Sequence, residues 1–160
     1  MDADATSGLS SELSSELSSE LSSERRALIV EDEALIGEEL RERLSRLGFS
    51  VIATVDTADE GIAIATRERP NLVLMDIRLK GEKDGVQAAI EIRQQVDVPI
   101  VYVTAYSDRV TVDRAQGTEH DGYILKPFHK RDLQSTIEVA MQRHAIRVKE
   151  AKAKDASPGE

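Results

Sequence analysis

Five short apolar runs, separated by stretches of helical periodicity, constrain the fold of this chain more than any other feature. The runs are Ala27 to Val30, Val51 to Ala53, Leu72 to Met75, Ile100 to Val103 and Tyr123 to Leu125. They are continuous rather than alternating, as strands are when both faces of a sheet are covered. Ile36, Leu40, Leu44 and Leu47 form a helical stripe that stops at Gly48, a common helix-ending residue. Thr57 to Arg69 predicts a second helix, closed off by Pro70. Val86, Ala89 and Ile90 mark a third, entered from the polar loop Lys80 to Asp84. A weaker pattern predicts a fourth over Asp108 to Gln116. Leu133, Ile137, Ala140 and Met141 share one face of a last helix, expected to continue through Val148 before a fraying tail from Ala151 to Glu160. Strands alternating with helices in this way predict an α/β fold, a doubly wound parallel sheet covered on both faces.

Open sheets of this kind place ligands at the carboxyl ends of their strands, and the strand ends here are chemically unusual. The first run ends in Glu31 and Asp32, the third in Asp76, the fourth in Thr104 and the fifth in Lys126. Three carboxylates converging on one rim repel each other unless a cation intervenes. Hard oxygen donors without His or Cys suit Mg²⁺. A cation, an amine and a hydroxyl together fit a phosphoryl group, because each offsets charge on its oxygens. A carboxylate can itself act as the nucleophile that takes up the phosphoryl group. Asp76, ending the middle run, is the candidate for that role. Taken singly, each of these residues has an ordinary structural explanation, such as the capping of a helix by Glu31 and Asp32.

Four blocks, Leu28-Ile29-Val30-Glu31-Asp32-Glu33, Leu72-Val73-Leu74-Met75-Asp76, Val103-Thr104-Ala105 and Leu125-Lys126-Pro127-Phe128, together resemble the signature blocks of bacterial two-component response-regulator receiver domains. The resemblance covers roughly residues 25–145. It implies a flavodoxin-like (βα)5 fold with strand order 2-1-3-4-5. It implies that Asp76 accepts a phosphoryl group from a sensor histidine kinase or a histidine phosphotransfer protein. It further implies that Asp32, Asp76 and the backbone carbonyl of Arg78 bind Mg²⁺, with Glu31 acting through a bound water. Lys126 and Thr104 would bind the phosphoryl group, Thr104 and Tyr123 would form the switch, and Pro127 would follow a cis peptide bond. The chain departs from the commoner family pattern at Lys80, where a Pro is usual, and in a longer segment from Gly117 to Gly122.

The expected product of this arrangement is a phosphoacceptor signalling domain, assisting its own phosphotransfer and dephosphorylation, rather than an enzyme with a separate substrate. A phosphatase of the haloacid dehalogenase type would also use a strand-end Asp and Mg²⁺. It would want a second Asp two residues later, where Arg78 stands. A dinucleotide-binding module would want a Gly-rich turn after the first strand, where Glu31 and Asp32 stand. A receiver-like docking module without phosphorylation would not need the full acid set.

Residues 1–24 form a separate segment. Leu-Ser-Ser-Glu repeats four times over 9–24, placing Leu9, Leu13, Leu17 and Leu21 at intervals of four. On a helix that stripe drifts by about 40° per repeat, unlike a heptad seam. The expectation is a solvated, mobile or marginally helical leader, or else a docking helix that presents its Leu stripe. The domain division expected is thus a leader over 1–24, a receiver over 25–145 and a helix end with tail over 146–160. The leader holds six acids and no base, so it carries −6 of the chain's net charge of −9. Neither part has the clustered cations of a nucleic-acid binder. No apolar run approaches the roughly 18 residues that span a bilayer, the chain has no Cys, and the leader's start is acidic. These features predict a cytoplasmic protein with no nucleic-acid or membrane partner. The sequence beyond the last helix is too short for a helix-turn-helix unit, so output is expected through a downstream protein or a homodimer. The expected surface is the face formed by the fourth helix, the fifth strand and the last helix.

Overall fold

A computed structural model describes residues 25–105 and 121–155 of the chain. The elements are β1 (Arg26–Val30), α1 (Ala34–Arg46), β2 (Ser50–Val55), α2 (Ala58–Glu68), β3 (Leu72–Met75), α3 (Gly85–Gln95), β4 (Ile100–Ala105), β5 (Gly122–Lys126) and α4 (Lys130–Asp155). The five strands form one parallel sheet in the order β2-β1-β3-β4-β5. This is the order that the receiver resemblance implies, in the parallel sheet that the sequence patterns predict. The expectations for the leader and for a helix over 108–116 lie outside the described residues.

Alternate residues of each strand face opposite sides of the sheet, and two apolar layers follow. Leu28, Val30, Val73, Met75 and Tyr102 pack with Ala58 and Ala65 of α2 and with Ala88 and Ile92 of α3. Ala27, Ile29, Leu74, Val101 and Ile124 pack with Leu40 and Leu44 of α1 and with Leu133, Ile137 and Ala140 of α4. β3 and most of β1 and β4 are buried, whereas the edge strand β2 is half-buried along much of its length and runs wider than Val51 to Ala53.

The helix ends have recognisable chemistry. The Thr57 hydroxyl accepts from the Glu60 N–H at the start of α2. Asp84 and Gln87 form a reciprocal capping box at the start of α3, satisfying two otherwise unpaired amides. Gly48, at φ +90°, turns the chain out of α1.

Two expectations need correction. On α3 the inward positions are Gly85, Ala88, Ala89 and Ile92, while Ile90 is exposed and Val86 only half-buried. Small residues let this helix lie close to its neighbour α2, so size rather than hydrophobicity marks its inner face. α4 continues to Asp155 without a break near 145, beyond Val148 and through much of the segment expected to fray. Part of the reason lies in buried and half-buried ion pairs. Asp121, whose side chain is 1% exposed, pairs with Arg93 of α3 and Arg147 of α4, and its Oδ2 accepts from the Ile100 N–H at 2.9 Å. His144 is half-buried and lies 3.1 Å from Asp97.

Candidate functional site

The parallel sheet brings the ends of β1, β3, β4 and β5 to one rim. Glu31 and Asp32 follow β1, Asp76 follows β3, Thr104 lies near the end of β4 and Lys126 ends β5. Backbone bonds hold this rim rigidly. The Glu31 N–H donates to Val55 O at 2.8 Å, and the Asp76 N–H donates to Val30 O at 2.9 Å.

Glu31, Asp76 and Thr104 are buried, Asp32 is half-buried, and Arg78 and Pro127 are exposed. Carboxylate oxygens of Glu31, Asp32 and Asp76 lie within 4.8 Å of one another. The Lys126 ammonium donates to Asp76 Oδ2 at 3.1 Å. It also lies 2.6 Å from Glu31 Oε1, a close ionic contact poorly aligned for a hydrogen bond. The Arg78 N–H approaches Asp76 Oδ1 at 3.3 Å. The Lys126–Pro127 peptide bond is cis.

The electrostatics show a site short of positive charge. Burial, then the contact with Asp76, pushes the Glu31 carboxyl up from 4.5 to about 8, against the opposing pull of Lys126. Burial acts to lower the Lys126 ammonium, but contact with Glu31 and the charges of Asp76 and Glu31 outweigh it and raise the group. Both shifts mean that the cluster holds on to protons. One ammonium does not compensate three converging carboxylates. A divalent cation with a preference for hard oxygen donors fits this donor set, and Glu31, Asp32 and Asp76 are the side chains that would face it.

Residues without a sequence signal also shape the site. Gly85 sits where a Cβ would fall 1.9 Å from the Asp76 carbonyl oxygen, and its N–H donates to Ile77 O at 2.7 Å. α3 can therefore start directly beneath the acid only with glycine there. A Gly after Asp84 in a polar loop is too common to single out. Glu33 is a second addition, 3.9 Å from the Lys126 ammonium and largely exposed. Tyr123 is 36% exposed and lies in register with the fully buried Tyr102 of β4. Thr104 pairs with Leu125 in the same register.

A doubly wound sheet of this strand order, with acids and a lysine at its carboxyl rim, defines the receiver class of signalling domains. The chain belongs to the response regulator receiver domain family, whose sequence profile matches residues 27–138. It is 40% identical over 119 residues to the transcriptional regulatory protein PdtaR of Mycobacterium tuberculosis, a match covering 74% of this chain and 58% of that protein. It is 39% identical over 120 residues to the probable transcriptional regulator ycf27 of Porphyridium aerugineum, covering 74% of this chain and 48% of that protein. The chain thus spans about half the length of the curated relatives it matches. Among solved structures, it resembles the signal receiver domain of a modulated diguanylate cyclase from Desulfovibrio desulfuricans, with 34% identity and a TM-score of 0.71 over 76% of this chain and 97% of that one. It also resembles the receiver domain of the sensor histidine kinase PA1611 from Pseudomonas aeruginosa, described with a magnesium ion coordinated in its active-site cleft. That match has 29% identity and a TM-score of 0.66, over 74% of this chain and 98% of that one. Among the described residues, no helix is long and apolar enough to cross a membrane.

Proposed function

We propose that this receiver domain accepts a phosphoryl group on the Asp76 carboxylate from a phosphohistidine of a sensor histidine kinase or phosphotransfer protein. The observation that carries the reading is the placement of Asp76: buried, at the end of the central strand, 3.1 Å from the Lys126 ammonium and clustered with Glu31 and Asp32. In the transfer, an Asp76 carboxylate oxygen forms a bond to phosphorus while the phosphorus–nitrogen bond to the donor imidazole breaks. The nitrogen keeps the electron pair and takes up a proton. Lys126 then turns from the carboxylate to a phosphoryl oxygen, and the Thr104 hydroxyl donates to another.

Glu31, Asp32, Asp76 and the Arg78 carbonyl are the groups we assign to Mg²⁺, Glu31 through water. Bound there, the ion supplies charge neutralisation for the incoming phosphoryl group. The receiver unit in this reading begins at residue 25, and residues 1–24 are an appended leader. The signal passes to a downstream protein, or to a second copy, through β5, α4 and the segment preceding β5.

The test is incubation with acetyl phosphate and Mg²⁺, followed by intact mass. The mass should rise by one phosphoryl unit, and Asp76→Asn should abolish the gain. A phosphoserine in the leader, retained in Asp76→Asn, would refute the assignment.

A further inference from the structure

At the end of the sheet opposite the acidic rim, a cavity of about 510 Å³ opens between the end of α1 and the middle of α4. Its floor is apolar: Leu47, Phe49, Ile137 and Met141 line it. Its rim is cationic, with Arg25 and Arg46. A second cavity of about 130 Å³ shares Arg46, Leu47 and Gln134 with the first and adds Arg43 and Lys130. The two form one trough along the α1–α4 seam, with four cationic side chains and a single acid, Glu138, among the residues that line it. Among the described residues Arg46 pairs with Glu42, and both side chains are 64% exposed. A pair so exposed contributes little and exchanges easily.

Arg25 is where the leader joins the domain. Its guanidinium donates to Leu47 O at 2.8 Å and stands over the Phe49 ring, 5.6 Å from its centroid. The chain N-terminal to it therefore begins at the lip of the trough. Leu21 is four residues away, within roughly 6 Å along a helix or 14 Å along an extended chain. The leader has the complementary chemistry, with a Leu and a Glu in every repeat and no base over 1–24. On a helix each Glu lies about 60° from the Leu three residues before it, so acids and leucines share a side. Tethering raises the local concentration of such a segment to about the millimolar range.

We propose that the Leu-Ser-Ser-Glu repeat, residues 9–24, docks in the α1–α4 trough of its own chain. The leucines cover Leu47 and Met141, the half-buried residues of the floor above the buried Phe49 and Ile137, and the glutamates meet Arg25, Arg43 and Arg46. The docked leader leaves the acidic rim open. This inference does not depend on the phosphoacceptor reading.

The absence of Cys makes the test direct. Ser22→Cys is combined in the full-length chain with Gln142→Cys or Gln134→Cys beside the trough, or with Gln87→Cys on α3 as control; all three Gln positions are exposed. Under mild oxidation, an intrachain disulfide should form roughly tenfold faster or more with a trough partner than with the control. Adding Leu13→Ser, Leu17→Ser and Leu21→Ser should reduce the rate to that of the control. Equal rates for trough and control overturn the proposal, as does a rate indifferent to the leucines. Covalent dimers as the main product overturn it too, because a second copy then takes the seat.

Discussion

At the scale of single residues, the candidate site is a problem of charge. Asp32 is the half-buried member of the acid cluster and the one without a close ammonium among the contacts described. Its expected task is to bind the cation. Asp32→Ala should weaken Mg²⁺ binding at least tenfold, or about 1.4 kcal/mol, in a titration followed by calorimetry. Glu31 sets the pH dependence. Its carboxyl is raised in the folded chain to about 8 from an ordinary 4.5. Between those values the folded metal-free chain keeps a proton that the unfolded chain releases. Stability should then fall as pH rises through this window, by linkage. Mg²⁺ affinity should rise over the same window, because binding expels the proton. Thermal melts without metal and titrations with it, repeated on Glu31→Gln, check both signs; the variant should flatten both profiles.

At the scale of elements, what the sequence made legible follows from what each pattern encodes. Strand positions and the strand-end acids were readable because continuous apolar runs and their polar terminators are local signals; the strand order came from the family resemblance. The face of α3 was not readable, because Ala88, Ala89 and Gly85 pack inward for their small size while Ile90 stays exposed. Close approach to α2 and to the Asp76 carbonyl is a tertiary fact. Gly85→Ala should push the start of α3 away from the Asp76 carbonyl, which a Cβ would meet at 1.9 Å. Overpacking of that kind costs about 1–3 kcal/mol, and the variant should also lose phosphorylation with acetyl phosphate. Asp121 was equally silent, since its partners Arg93 and Arg147 are 28 and 26 residues away. Asp121→Ala leaves Arg93, 13% exposed, and the buried Ile100 amide without that acceptor. The expected loss is about 3 kcal/mol, at the low end for a broken buried pair because Arg147 keeps 40% exposure. The denaturant midpoint should fall accordingly, and amide exchange in the last turns of α4 should quicken.

At the scale of the whole molecule, the proposed phosphoryl group on Asp76 would have to be felt at a surface some distance away. Two observations suggest the route. Thr104 is fully buried near the end of β4, next to the rim, and Tyr123 on the neighbouring β5 is 36% exposed beside the buried Tyr102. A phosphoryl oxygen should draw the Thr104 hydroxyl toward it and vacate space behind β4. Rotation of the Tyr123 ring into that space would be favourable by roughly 1.5–3 kcal/mol. Inward Tyr123 and bound phosphoryl group then stabilise each other, as linkage requires of a two-state switch. The altered surface would comprise β5, the outer side of α4 and the segment 107–120, where Val139 is 42% exposed and Arg143 is exposed beside Tyr123. Beryllofluoride, a phosphoryl mimic, supplies the test by NMR on wild type and Thr104→Ala. In wild type, shifts should extend from the rim to Tyr123 and α4; in Thr104→Ala they should stop near Asp76. If Tyr123 does not respond in wild type, the coupling is absent even where Asp76 is the acceptor.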